Sequence, residues 1–440
     1  MISAIRQYIY NNHSIKGNPM NPYMTARAQE TTATGSLLVN VVSNENNFPI
    51  QNAEISVSYT GDPESTLEQL VTDSSGQTEQ VSLSAPPVDL SLSPSLVQPY
   101  SQYSLFVRAQ GFEPVSINGT EILADTLALQ PVRMVPIVDE VSPDVPIVIP
   151  DHTLYGEYPP KIAEAEVKPV AETGEIVLSQ VVIPETIIVH DGVPTDPTAP
   201  NYYVPYGEYI KNVASSEIYA TWPRETIIAN VLAIMSFTLN RVYTEWYRNQ
   251  GYDFTITSST AFDHKWIYGR NIYESISQVV DEIFNSYLSR PGVRQPILTQ
   301  YCDGQRVRCP NWMSQWGSCD LGEQGYTAIQ IIRNYYGSDM YINTAEQVSG
   351  VPSSFPGYNL TIGASGDKVR QVQEQLDTIA GVYTAIPRIT ADGIYGPDTA
   401  EAVRQFQSIF KLPVTGIIDF ATWYRISHIY VGITRIAEYS

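Results

Sequence analysis

Basic residues are scarce in this chain: 25 Lys and Arg stand against 46 Asp and Glu, a formal net charge of −21. Binding a nucleic-acid backbone requires clustered cations that displace counterions, so this balance excludes nucleic acid as the expected partner. The plain effect of the charge is solubility. Long hydrophobic runs are missing too. No stretch reaches the ~18 consecutive apolar residues of a spanning helix, so no membrane span is expected. The opening MISAIRQYIYNNHSIKGNPMNPYMTARAQ is polar and Asn-rich, without the apolar segment of a secretory signal. That predicts action in the compartment of synthesis, or release by lysis. Cysteines number three, Cys302, Cys309 and Cys319. An odd count excludes a complete disulfide framework and leaves a disulfide plus a thiol, a metal site, or three buried thiols. His13, His152, His190 and His428 are scattered, which gives little support to a zinc amidase with paired histidine ligands.

Tyrosine, by contrast, is plentiful, at 30 residues. Its flat ring with a polar tip suits carbohydrate faces and half-buried surfaces alike. At ~100 to 200 residues per domain, the 440 residues predict two to four domains.

Four changes of texture divide the chain. Residues 1–33 form a pre-segment. From 34 to 132 the text is β-like, with GSLLVNVVS, AEISVSYT and YSLFVRA separated by the turn signals NENNFP, TGDP and DSSG. Tyr103, Leu105 and Val107 share one face of a strand, and an antiparallel β-sandwich is expected. Residues 133–200 are dense in Pro, Val and acidic residues with no helical period, which reads as an exposed, protease-sensitive linker. Residues 201–345 mix helices and short strands. A module at 355–440 carries helical patterns and Gly-rich turns.

In the central region, Ile210, Val213, Ala214, Glu217 and Ile218 recur at helical spacing, so a carboxylate shares the stripe that faces the core. Burial raises a carboxyl pKa, as a general acid near neutral pH requires. The competing reading is a structural carboxylate paired with an Arg or capping a helix. Pro223 and Glu225 mark the start of a second helix, apolar on nearly every side and therefore buried.

The segment YIKNVASSEIYATWPRETIIANVLAIMSFTL resembles the opening signature of the stage II sporulation protein D family of lytic transglycosylases. The text from 296 to 342 is similar to that family's second half, with Tyr301 ending a strand, Met313–Gly317 as its Met-Ser-Gln-aromatic-Gly motif, and Tyr335–Gly337 closing a helix. Met235 stands where the family has a basic residue, and Trp312 where it often has Gly. The resemblance implies that Glu217 protonates the glycosidic oxygen between N-acetylmuramic acid and N-acetylglucosamine, then serves as base on the muramic C6 hydroxyl. It also implies that Ser314 and Gln315 bind the glycan or orient Glu217, and that Tyr301 and Trp316 supply ring contacts. Asp263, Glu274 and Asp303 are the candidate carboxylates for a position near Glu217 in the fold. Some family members hold zinc through Cys and His. His264 with Cys302 and Cys309 offers such a set, but a Cys302–Cys309 disulfide is at least as consistent with the spacing, so no metal and no cofactor are expected.

The text LTIGASGDKVRQVQEQLDTI followed by ADGIYGPDTAEAVRQFQSIFKLPVTGIIDFATWYRI closely resembles peptidoglycan-binding domain 1, with Val369, Val372, Leu376, Val403, Phe406 and Leu412 inward. The β-region resembles carboxypeptidase-regulatory-like, transthyretin-type domains. Taken together, the fold expected is multidomain: an N-terminal antiparallel β-sandwich, a central α+β catalytic domain and a C-terminal three-helix peptidoglycan-binding domain. This order is similar to that of clostridial spore cortex-lytic enzymes. It implies cortex peptidoglycan as substrate and a location in the spore cortex and coat region after synthesis in the mother cell. It further implies a zymogen activated by a subtilisin-like germination protease, with Gln180–Val181 the favoured bond. An amidase on the same polymer and a non-catalytic wall or coat scaffold are the alternatives.

Overall fold

The computed structural model describes residues 33–62, 65–138, 145–168, 178 and 180–434. The pre-segment lies outside the described residues, apart from its last position.

Seven strands build the N-terminal unit: β1 (Ala33–Ser43), β2 (Glu54–Tyr59), β3 (Thr66–Val71), β4 (Val81–Ala85), β5 (Ser101–Arg108), β6 (Val115–Ile122) and β7 (Leu127–Met134). Alternation selects the faces as expected: Tyr103, Leu105 and Val107 of β5 are buried against Ile55 and Val57 of β2. Two sheets result, one containing β7, β1 and β4 and the other β3, β2, β5 and β6.

The expectation of a purely antiparallel sandwich needs correction, because β1 and β7 run parallel over Ser36–Ser43 and Leu127–Met134. Residues 123–126 carry the chain from one sheet to the other, which lets β7 lie alongside β1. Gly35 sits under this crossing, where a Cβ would lie 2.1 Å from the Leu123 carbonyl oxygen. Each sheet also gains an edge strand from later in the chain. Ile147–Val148 pairs with β6, and Ile272–Tyr273 of the central region pairs with β7. Pairing an exposed edge in this way satisfies backbone groups that would otherwise recruit foreign strands.

That borrowed strand brings a buried ion pair with it. Arg270 and Glu121 meet with both side chains 0% exposed, and the Asn271 amide bridges the Glu121 backbone N–H and C=O at 3.0 Å each. One continuous apolar core therefore runs through sandwich and central region alike.

Within the central region, the helix Arg224–Tyr243 is surrounded by the helices Tyr206–Glu217, Glu274–Ile283, Gln315–Glu323 and Ala328–Tyr336. It is long and apolar enough to cross a bilayer, yet 89% of its apolar window is buried within the protein, so it establishes no membrane span.

The described residues of 133–200 depart from the exposed linker expected. His152 and Lys168 are buried, and Thr186–His190 forms a three-stranded sheet with Asn201–Pro205 and Ile256–Thr257. Proline and acidic composition signals the lack of a helical period. It does not forbid docking when the charges find partners.

The last unit has a separate core of Val369, Val372, Leu376, Val403, Phe406, Trp423 and their neighbours. Its helices are Asp367–Ala380, Pro397–Ile409 and Phe420–Thr434. Two buried glutamines repeat the same task. Gln373 accepts from Gly393 N at 2.8 Å, and Gln407 accepts from Gly416 N at 2.8 Å. Each pins a turn whose glycine has positive φ, where a side chain would be strained.

Candidate active site

Glu217 is the last residue of the helix Tyr206–Glu217, after which Ile218 turns extended. The break is local: Pro223 caps the next helix six residues on, which leaves a rigid corner between two core helices. The Glu217 side chain is 3% exposed. Its Oε1 accepts from the Lys265 backbone N–H at 2.6 Å, and its Oε2 accepts from the Tyr301 hydroxyl. The Gln315 amide donates to the Glu217 carbonyl oxygen at 3.0 Å, which fixes the backbone beneath the carboxylate.

Burial, the largest influence, pushes the Glu217 carboxyl pKa up. The Lys161 ammonium, the Lys265 amide and the Tyr301 hydroxyl oppose it without reversing it. Chemically, this is a carboxyl group biased toward its protonated form while its oxygens are aimed by two fixed donors.

The resemblance-derived partners fall into place unevenly. Gln315 is buried and holds the Glu217 backbone. Ser314 caps its helix, accepting from Gly317 N at 2.9 Å. Tyr301 is buried, and its hydroxyl rather than its ring face meets Glu217. Trp316 packs inward, its ring centroid 5.2 Å from Trp222 and 5.9 Å from Tyr219. Both rings are covered in this structure, as the Glu217 carboxyl is.

The neighbouring carboxylates are engaged elsewhere. Asp263 is fully buried, bonded to Arg241 at 2.8 Å, the Tyr247 hydroxyl at 2.6 Å and Thr257. Asp303 accepts from the backbone of Arg306 and Val307 in the turn after Tyr301. Glu274 lies in the first turn of its own helix. Cys302 and Cys309 form a disulfide, with Cα atoms 5.6 Å apart, that closes this turn, and Cys319 is a buried free thiol. His264 turns Nδ1 to the Tyr209 hydroxyl at 3.1 Å.

Sequence reasoning missed Lys161 and Arg241. Lys161 comes from the stretch read as linker, yet its ammonium donates to the Asp263 carbonyl oxygen and lies 5.1 Å from the Tyr301 ring. The available signal was two lysines, Lys161 and Lys168, in an acidic, Pro-rich segment. Arg241 sits wholly buried on the central helix, where its charge is the exception to an apolar face.

At the bond expected to be processed, Gln180 is exposed and Val181 half-buried, just ahead of a two-residue strand, Val182–Ile183, that pairs with Gln347–Val348.

No curated protein matches this chain. Among solved structures it is similar to the SleB N-terminal domain, at 32% identity over 17% of this chain and 93% of that one, with a TM-score of 0.15. It is also similar to Klebsiella pneumoniae 5-hydroxyisourate hydrolase, at 20% identity over 23% of this chain and 92% of that one, with a TM-score of 0.16. A third likeness is to GBS52, the minor pilin of Streptococcus agalactiae, at 14% identity over 26% of this chain and 49% of that one, with a TM-score of 0.18. TM-scores this low carry no argument about the chain as a whole. A family model described as "Putative peptidoglycan binding domain" matches residues 365–426, which places the match on the C-terminal helical unit and supports peptidoglycan as a partner.

Proposed function

We propose that the chain is the proenzyme of a spore cortex-lytic enzyme, a lytic transglycosylase that cleaves cortex peptidoglycan during germination. The carrying observation is Glu217: a single carboxyl, buried at a rigid helix corner and biased toward its protonated form, with donors on both oxygens.

In this reading Glu217 gives its proton to the glycosidic oxygen as the muramic C1–O bond breaks. The muramic C6 hydroxyl then attacks C1 and returns its proton to the Glu217 carboxylate. The product is a 1,6-anhydro sugar, no water is consumed, and the acid is regenerated. One acid/base group suffices for this, unlike the paired carboxylates of a hydrolase. Gln315 and the Lys265 amide hold the carboxylate in place, and Tyr301 steadies its charged form. The C-terminal unit keeps the enzyme on its insoluble polymer, which raises the local substrate concentration.

The domain order resembles that of the clostridial spore cortex-lytic enzyme SleC, and from that likeness come the proposed location in the spore cortex and coat region and activation by a subtilisin-like germination protease. The exposed Gln180 is compatible with cleavage at Gln180–Val181.

The test is mass spectrometry of fragments released from cortex peptidoglycan by the protease-cut protein. Anhydro-muramic ends are the expected product. Reducing ends would replace the reading with a hydrolase, free peptides with an amidase, and no release with a non-catalytic wall or coat scaffold.

A further inference from the structure

A polymer cannot reach a carboxyl group that is 3% exposed unless something moves away. Residues 158–168, outside the helices and strands, lie beside the tyrosine that donates to that carboxyl, with the Lys161 ammonium 5.1 Å from the Tyr301 ring. It is held by side chains. The Gln300 amide brackets it, donating to the Ile162 carbonyl oxygen at 2.7 Å and accepting from Glu164 N at 2.8 Å. Gln295 does the same for Lys168, with both bonds at 2.9 Å.

Two charges make the segment specific. Lys161 lies over the Tyr301 ring, and its ammonium favours the ionised form of Glu217. Glu164 forms a bidentate pair with Arg241, at 3.0 Å and 2.5 Å. Arg241 is anchored from its other side by Asp263, so it keeps its place when Glu164 leaves. Planar bidentate recognition of a carboxylate is what an arginine so fixed is suited to.

Resting on the assignment of Glu217 as acid/base, we propose that residues 158–168 are an internal occupant of the glycan groove. Lys161 is set against Glu217, and Glu164 stands on Arg241 where a free carboxylate of the peptidoglycan strand binds once the segment leaves. The uncut chain is silent because the groove is filled. Cutting the chain past the segment permits its departure.

The test reverses both charges in the full chain, Lys161→Glu with Glu164→Lys, so that each meets a like charge. Hydrogen exchange at Ile162, Glu164 and Lys168 is expected to quicken at least tenfold, while the central helix stays protected. Glycan release by the uncut chain is expected to rise at least tenfold, and cut native and cut reversed proteins are expected to act at equal rates. Unchanged exchange would overturn the holding role of the ion pairs. Faster exchange without faster release, in a protein whose cut form is active, would overturn the blocking role. If the cut native protein is itself inactive, the Glu217 assignment fails, and the holding role is decided by exchange alone. The Arg241 site is tested separately with strands whose carboxylates have been amidated: KM for the cut protein is expected to rise about tenfold or more, and an unchanged KM would remove Arg241 from substrate recognition.

Discussion

The Tyr301 hydroxyl donates to Oε2 of Glu217, joining the end of one core helix to a strand that lies 84 residues away in sequence. A donor to a carboxylate favours its charged form and so restrains a pKa that burial drives up. Tyr301→Phe removes the restraint and leaves the ring. Glu217 then titrates at higher pH, and the limb of the rate profile on which activity falls with rising pH moves upward. The rate is expected to drop roughly 10- to 100-fold, the scale of one hydrogen bond to a charged group. A profile that does not move would mean that Glu217 is not the titrating group.

The Arg270–Glu121 pair predicts how firmly the sandwich is fastened. Arg270→Met strands a buried carboxylate and costs ~3–5 kcal/mol. Burial already lifts the Glu121 pKa above its unfolded value, and losing Arg270 lifts it further. A carboxyl raised on folding binds its proton more readily in the folded state, so the variant's deficit shrinks as pH falls and widens toward neutral. Thermal melts at pH 5 and pH 7.5 check this. Adding Glu121→Gln is expected to recover part of the loss.

Acid is expected to loosen the C-terminal unit from the central region. Glu208 pairs there with Arg425 at 2.8 Å, and the cations Lys211 and Arg425 hold its carboxyl pKa well below the usual range even though burial opposes them. His428 beside it is pushed down to about 4, chiefly by burial and then by Arg425. A depressed histidine stabilises docking above its free value of ~6.5 and loses that contribution as pH falls toward 4. Glu208 acts in the same direction at still lower pH. Small-angle scattering between pH 7 and pH 4 is expected to show an expanding particle, whereas a constant radius would refute the account.

Gln407 predicts the tolerance of the C-terminal unit. Gln407→Ala leaves the Gly416 amide without its acceptor in the interior and the Thr415 amide without one at an exposed position, at a cost of ~1–3 kcal/mol for the one desolvated group. Calorimetry on the full chain is expected to show the transition of this unit shifting down while the larger core holds.

Periodicity made much of this legible. Tyr103, Leu105 and Val107 share a buried face, and Glu217 lies on the stripe that the spacing of Ile210 and Val213 points inward. What periodicity cannot carry is a contact between distant segments. Nothing local to Glu121 announces Arg270, 149 residues on, and the borrowed strand Ile272–Tyr273 is too short for any pattern. The ring contact expected of Tyr301 comes from the family resemblance, which gives the residue type without the direction of its hydroxyl. Lys161 and Glu164 fall in a stretch that reads as a linker from composition, because their partners, Asp263 and Arg241, come from the fold.

The most direct measurement compares the protease-cut protein with its Glu217→Gln twin on purified cortex peptidoglycan, scoring anhydro-muramic ends and the fraction of protein that sediments with the polymer. The account predicts that release falls by about 10²- to 10⁴-fold, the usual contribution of a positioned acid/base group, while sedimentation is unchanged. A Glu217→Gln variant that releases anhydro ends at the native rate would contradict it.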